Sequence, residues 1–235
     1  TGKITATLAA TEKTRAILLH TTDGLKGTGH SITIPAIEDA SLAAADLVTL
    51  DAITDVKLTF NTGGGGAPFS PALTGNAADV ITVLSSTGID QTTTAGLGAS
   101  AVNVNSGNTS IAQANLINTK TTGNLTATIT ERTMSALAGI ATKATGNNNL
   151  TVTVNDLEID AAALNALDDK TTVDVIITAA QKITGSAADL AKIYNANKAN
   201  FTDEGAEEVV VTGTSVAAAD IISINNGNAG AKKIS

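Results

Sequence analysis

The stretch LTGNAADVITVLSSTG, Leu73–Gly88, returns in altered form as ITGSAADLAKIYNANK, Ile183–Lys198. Its shared core is Thr-Gly, then Asn or Ser, then Ala-Ala-Asp. Asn76 and Ser186 stand where a helix N-cap is expected, with side-chain oxygens able to accept from the orphan N–H groups of a first turn. Asp79 and Asp189 fall three residues later, in a capping-box-like position facing the positive end of the helix dipole. Gly75 and Gly185 are expected to permit a sharp exit from a preceding short strand. Ser41, Ser110, Asp160 and Ser215 have the look of the same cap elsewhere. The motif therefore reads as strand exit, glycine turn and helix cap, and its recurrence raises the question of a repeating architecture.

Alternating, β-branched segments predict strands at Ile4–Leu8, Ile32–Ile37, Val56–Phe60, Ala101–Asn105, Leu125–Thr130, Leu150–Asn155, Val173–Ile177 and Glu208–Thr212. Between them, Ala- and Leu-rich segments predict short helices beginning near Glu12, Ser41, Asn76, Ser110, Glu131, Asp160, Ser186 and Ser215. Strand and helix alternate, and the helix starts are spaced by about 21 to 35 residues, within the range of stacked repeats. Each unit is too small to bury its own apolar face. The expectation is one α/β domain over 1–235, a solenoid of about eight units with short parallel strands on one side and short helices on the other; the alternative is a mostly-β solenoid with short helical turns. The stretch 61–100 breaks the spacing and carries two of the 3 prolines, so GGGGAPFSP and GIDQTTTAGLGAS are expected to form projecting loops.

Composition agrees with a thin, regular core. The chain has 235 residues, 43% hydrophobic but only 2% aromatic, so Ala, Val, Ile and Leu carry the burial. Threonine makes up about a sixth of the residues. The net charge of −8, with 14 Lys and Arg thinly spread, argues against nucleic acid, which needs a basic stripe. With 0 cysteines there is no disulfide, thiol chemistry or Cys-ligated zinc. No run reaches the ~18 apolar residues of a membrane helix, so no membrane insertion is expected. The N-terminal TGKITATLAAT lacks a signal peptide's apolar block; a secreted form would have lost its signal, carry it beyond the given residues, or not use an N-terminal one.

The phrases TVTVNDLEIDAAALNALDDKTTVDV (151–175), ITGSAADLAKIY (183–194) and VVVTGTSVAAADIISIN (209–225) resemble the Ala/Thr-rich repeats of large secreted haemolysin-like or calcium-binding surface proteins of cyanobacteria and other Gram-negative bacteria. The resemblance is clearest over roughly 110–230. It implies an extracellular, adhesive or fibrous protein, commonly exported by a type I route whose signal is C-terminal. The glycine-rich calcium nonapeptide that often accompanies such repeats is absent, since TGGGGAPF (62–69) has no Asp.

Candidate chemistry is sparse. His20 and His30 are the only imidazoles; with Asp23 they form no recognisable ligand spacing. DGLKGTGH (23–30) does not match a phosphate-binding loop. Asp156, Glu158 and Asp160 alternate as an EF-hand loop begins, but Ala161 stands where Gly is required and Leu167 where the bidentate Glu is required. A simpler calcium site between adjacent repeats is what these three residues raise, as do Asp203 and Glu204 with Glu207 and Glu208. Sequons occur at Asn108, Asn124, Asn149 and Asn200.

The leading functional expectation is a structural surface protein that stacks head to tail on further copies of itself into a filament, sheath or surface layer, or forms an adhesin spacer. It is motivated by the repeat pattern and by the strand-like ITATL and unit-like SVAAADIISINNGNAGAKKIS at the two ends, which lack polar capping repeats. The alternative is a binding module, like a leucine-rich horseshoe, that grips a surface glycan or a protein; the scarcity of rings weighs against sugar platforms. No cofactor and no catalysis are expected, since no spacing brings nucleophile and base together.

Overall fold

In the computed structural model the described residues are 5–7, 31–33, 41–53, 57–58, 60, 71–93, 96–202, 207–213 and 216–228. The fold is α/β with parallel pairing between its strands. The chain divides into two compact units, Thr1–Ala127 with Ala144–Asn147, and Thr128–Lys143 with Asn148–Ser235.

In the first unit, β1 (Thr5–Thr7) pairs in parallel with β2 (Ser31–Thr33). A second sheet is built from β3 (Ser41–Ala43), β4 (Ala72–Gly75), β5 (Val102–Val104) and β6 (Leu125–Thr128), each parallel to the next. The helices α1 (Ala44–Ile53), α2 (Ala77–Ser85) and α3 (Ile111–Lys120) follow β3, β4 and β5. The register explains why so few large side chains suffice. Leu42 stands opposite Leu73, Leu73 opposite Val102, and Val102 opposite Leu125, and all four are buried. Burying one such side chain stabilises by about 1.5–3 kcal/mol, and the stacked row obtains that at each step with one aliphatic residue per strand. The sheet would be unstable as an isolated pair of strands.

The second unit repeats a strand–strand–helix order. After β7 (Asn148–Thr151) come β8 (Thr153–Val154), β9 (Glu158–Asp160) and α5 (Ala161–Asp168). Then follow β10 (Val175–Ile177), β11 (Lys182–Ser186) and α6 (Ala187–Ala191), and after them β12 (Phe201–Thr202), β13 (Glu208–Thr212) and α7 (Ala218–Gly227). The short helix α4 (Met134–Leu137) precedes this series. Two parallel sheets result, β8-β10-β12 and β9-β11-β13. Ile159, Ile183 and Val209 form one buried row across the second of them.

Several boundaries differ from the sequence reading. Ser41 is in strand β3, opposite Ala72, and does not cap α1. The helix expected from Glu131 to Lys143 shrinks to one turn, capped by Thr133 and turning at Ala138-Gly139. The helix read from Ser186 through SAADLAKIYNAN keeps its extent, but its second half, Lys192–Ala196, is a π-helical turn. Strand Leu150–Asn155 is two short strands, β7 and β8. The segment following α2 packs inward: Leu58 N–H donates to Gly88 O, Asp90 N–H donates to Leu58 O, and Ile89 and Leu97 are fully buried. The GGGGAPFS part of 61–100, the predicted helix from Glu12, His20, His30 and the DGLKGTGH turn lie outside the described residues.

Candidate functional site

The recurring motif fixes the local geometry first. Asn76 Oδ1 accepts from Asp79 N–H at 2.9 Å, and its Nδ2 donates to Asp79 Oδ2 at 2.6 Å. Ser186 Oγ accepts from Asp189 N–H at 3.1 Å and donates to Asp189 Oδ2 at 2.6 Å. Ser110 forms a full capping box with Gln113, and Asp160 Oδ1 accepts from Ala163 N–H at 2.8 Å. Four of the expected caps are thus present. Ser215 lies outside the described residues, and α7 has Ala217 at its N-cap with no side-chain bond.

The two motif glycines serve a steric purpose that a turn reading does not capture. Gly75 takes φ +150, which L side chains rarely adopt, but Gly185 has no positive φ and sits within β11. Each faces the first residue of the helix before it. A Cβ built on Gly185 would lie 2.6 Å from Ala161 Cβ, and one on Gly75 would lie 3.2 Å from Ala44 Cβ. The glycine therefore lets each strand close onto the alanine that opens the preceding helix. In the third copy, VVVTGTSVAAAD, the register places Val211 opposite Gly185 and Thr212 opposite Ser186, so its Thr-Gly pair has slipped by two positions.

A second recurring device went unread in the sequence. Hydroxyls just after three helices accept the N–H two residues on and reach back to the preceding chain segment. Ser86 Oγ accepts from Gly88 N–H (2.9 Å) and donates to Asp51 Oδ2 (2.6 Å). Thr121 Oγ1 accepts from Gly123 N–H (3.0 Å) and donates to Ser100 O (2.7 Å). Thr171 Oγ1 accepts from Val173 N–H (3.2 Å) and Leu150 N–H (3.0 Å) and directs its proton at Leu150 O (2.8 Å). The signal in the sequence is SSTG, KTTG and KTTV at 85–88, 120–123 and 170–173, a hydroxyl that closes a turn on its own backbone.

The acidic residues considered for calcium have separate partners. Asp156 Oδ2 accepts from Met134 N–H at 2.8 Å, at the start of α4. Glu158 pairs with Lys182 at 2.6 Å, and Asp160 caps α5. Glu207 is buried and accepts from the Tyr194 hydroxyl. Asp203 and Glu204 lie outside the described residues, among which no group of three or more His, Cys, Asp and Glu is placed to hold a metal ion.

A recess of about 250 Å³ lies beside the π-helical turn, lined by Tyr194, Asn195, Lys198, Ser223, Asn226 and Gly227. Gly227 leaves no room for a Cβ beside Tyr194 O, and the Lys198 ammonium donates to Gly227 O. The lining offers amide, hydroxyl and ammonium groups suited to hydrogen-bonding a small polar ligand, and Asn195 Nδ2 donates to Ser223 Oγ at 3.5 Å. Nearby, Asp168 is 8% exposed and accepts from Asn200 Nδ2 at 3.0 Å. Burial pushes its carboxyl above the usual range, the Asn200 bond opposes this, and Asp169 and Asp174 add to it.

No protein-family model, curated protein or solved structure matches the chain.

Proposed function

We propose that the chain is a repeat solenoid of short parallel strands and short helices, serving as a structural protein of the extracellular surface. In this reading it assembles end to end into a filament, sheath or surface layer, or stands as the spacer of an adhesin. The observation that carries it is repetition in register. Leu42, Leu73, Val102 and Leu125 stack in one row, Ile159, Ile183 and Val209 in another, and Gly75 and Gly185 each meet the alanine that opens the preceding helix, Ala44 and Ala161. A fold whose neighbouring segments bury one another through identical steps is extended by adding steps, with no terminating surface required by the geometry. The resemblance to repeats of large secreted surface proteins, the acidic balance and the absence of cysteine fit a solvated exterior location. The reading assigns no catalysis. Immunogold electron microscopy of native cells tests it: label on fibres or on the cell envelope supports it, and label confined to the cell interior refutes it.

A binding module is the second reading, favoured by the polar recess at Tyr194, Asn195, Lys198, Ser223 and Asn226. Its ligand class is a surface glycan or a polar peptide. Glycan-array binding that is lost on Asn226→Leu would place this reading first.

A further inference from the structure

We propose that the recess beside the π-helical turn binds a singly charged oxyanion, a carboxylate or sulfate group carried on a sugar-sized ligand, with the Lys198 ammonium as its counter-charge. The inference rests on the binding-module reading above and narrows its ligand to an anionic one.

The helical run that opens at Ala187 changes to a π-helical turn at Lys192–Ala196. Turns of this kind recur at functional sites, because an extra residue in the coil re-aims the side chains that follow it. Here Asn195 and Lys198 stand beside the last turns of α7, where Ser223, Asn226 and Gly227 complete the wall. Glycine at 227 is what lets α7 come this close, since a Cβ there would collide with Tyr194 O.

On the side of the turn that faces α5, the polar side chains are spent on one another. Asn165 Nδ2 donates to Asp189 O at 3.0 Å, Asn197 Nδ2 to Asn165 Oδ1 at 3.4 Å, and Asn200 Nδ2 to Asp168 Oδ2 at 3.0 Å. On the side that faces α7 they are not. The Asn195 bond to Ser223 Oγ, at 3.5 Å, is long for a hydrogen bond. The Asn226 side chain has no hydrogen-bond partner among the described residues. Lys198 has one among them, Gly227 O, which leaves the rest of its three N–H donors for a ligand.

The lining selects the charge of the ligand. Lys198 is the one charged residue among those that line the recess, and no acid there competes for it. Its spare donors favour an anion, because a hydrogen bond between charged partners is roughly twice as strong as a neutral one. A single ammonium without an arginine fork matches one negative charge and not the dianion of a phosphate monoester. Stacking cannot take the place of charge. Tyr194 is 1% exposed and its hydroxyl donates to the buried Glu207, so a neutral sugar finds no ring face and is left with hydrogen bonds alone. The carrier's own hydroxyls meet the amides of Asn195 and Asn226 and the hydroxyl of Ser223, and about 250 Å³ suits a single sugar residue.

The test is saturation-transfer NMR on the 235-residue protein, which observes the ligand and so tolerates assembly of the chain. The probes are glucuronate, glucose 6-sulfate and neutral glucose at matched concentrations. At least one of the two anions is expected to give a saturable signal well above that of glucose, and the stronger of the two assigns carboxylate or sulfate. Lys198→Gln is expected to weaken anion binding by roughly tenfold, the loss of one charge-assisted hydrogen bond. Lys198→Arg, which keeps the charge, is expected to retain binding, and circular dichroism of both variants separates lost charge from lost fold. If glucose binds as well as the anions, or folded Lys198→Gln binds them unaltered while Asn226→Leu does not, the anionic class is overturned and the recess stands as a neutral site. If none of the probes binds, the inference is overturned, and the glycan array decides separately whether the binding-module reading falls with it.

Discussion

Gly185 of β11 lies against Ala161, the first residue of α5, so closely that a Cβ on the glycine would stand 2.6 Å from the alanine Cβ. Real Cβ atoms do not approach to that distance, and the alanine has no flexible end to move aside. Gly185→Ala is therefore expected to lower unfolding stability by about 1–3 kcal/mol through overpacking. Gly75→Ala combines a milder 3.2 Å approach with φ +150 and destabilises mainly through backbone strain. Urea titration of the two variants checks both, and shortening the facing residue separates them. Ala161→Gly in the Gly185→Ala background recovers part of the loss, whereas Ala44→Gly in the Gly75→Ala background recovers little.

The caps predict a graded series. Ser186→Ala and Asn76→Ala each remove the bond to the third residue of the helix and its side-chain partner, and cost about 1 kcal/mol. The opposite change is available at α7, whose N-cap is Ala217 with no side-chain bond. Ala217→Asp is expected to raise stability by about 0.5–1 kcal/mol by supplying that bond and a charge favoured by the helix dipole. Thermal unfolding followed by circular dichroism distinguishes the two directions.

Thr171 is the most heavily used hydroxyl of the turn series, accepting two backbone N–H groups and donating to a carbonyl. Thr171→Val keeps the shape and removes the oxygen, leaving partly buried backbone groups unpaired. A loss of about 2 kcal/mol is expected, larger than for Thr171→Ser, which keeps the hydroxyl. Amide exchange at Leu150 and Val173 should accelerate in the valine variant alone.

Asp168 gives a pH dependence of defined sign. Its carboxyl titrates above the unfolded value in the folded chain, chiefly because burial disfavours the charge. The folded state therefore holds the proton more tightly, and Asp168 weighs against folding once the pH exceeds its folded-state pKa. As the pH falls through that pKa toward the unfolded value, this penalty is relieved. Asp168→Asn should thus stabilise the chain at pH 7 and lose that advantage on acidification. Chemical unfolding at a series of pH values reads the difference, and a gain that is the same at every pH would contradict it.

What the sequence disclosed was the helix starts. Asn76, Ser110, Asp160 and Ser186 declare themselves because a cap is a local device, made by one side chain on the three residues after it. β9 is hidden because three residues are too short for alternation to show, and β11 is legible only as a short strand before Gly185, which reads as a turn when its role within the strand is to admit Ala161. Ser41 was misplaced for the related reason that pairing with Ala72, 31 residues away, outweighs a local capping preference. The Ser86, Thr121 and Thr171 turns were visible as hydroxyls before glycine or valine, but their reach to Asp51, Ser100 and Leu150 is a tertiary fact. As for candidate sites, the recess at Tyr194 and Asn226 left no sequence signal, since it depends on the π-helical turn at Lys192–Ala196.

The central claim is that the chain adds to itself end to end. The most direct measurement is light scattering of the purified 235-residue protein over a concentration series, with negative-stain microscopy of the same samples. The account predicts a particle mass that climbs with concentration, together with unbranched filaments or sheets built from them. A single monomeric species at every concentration, with and without added calcium, would contradict it.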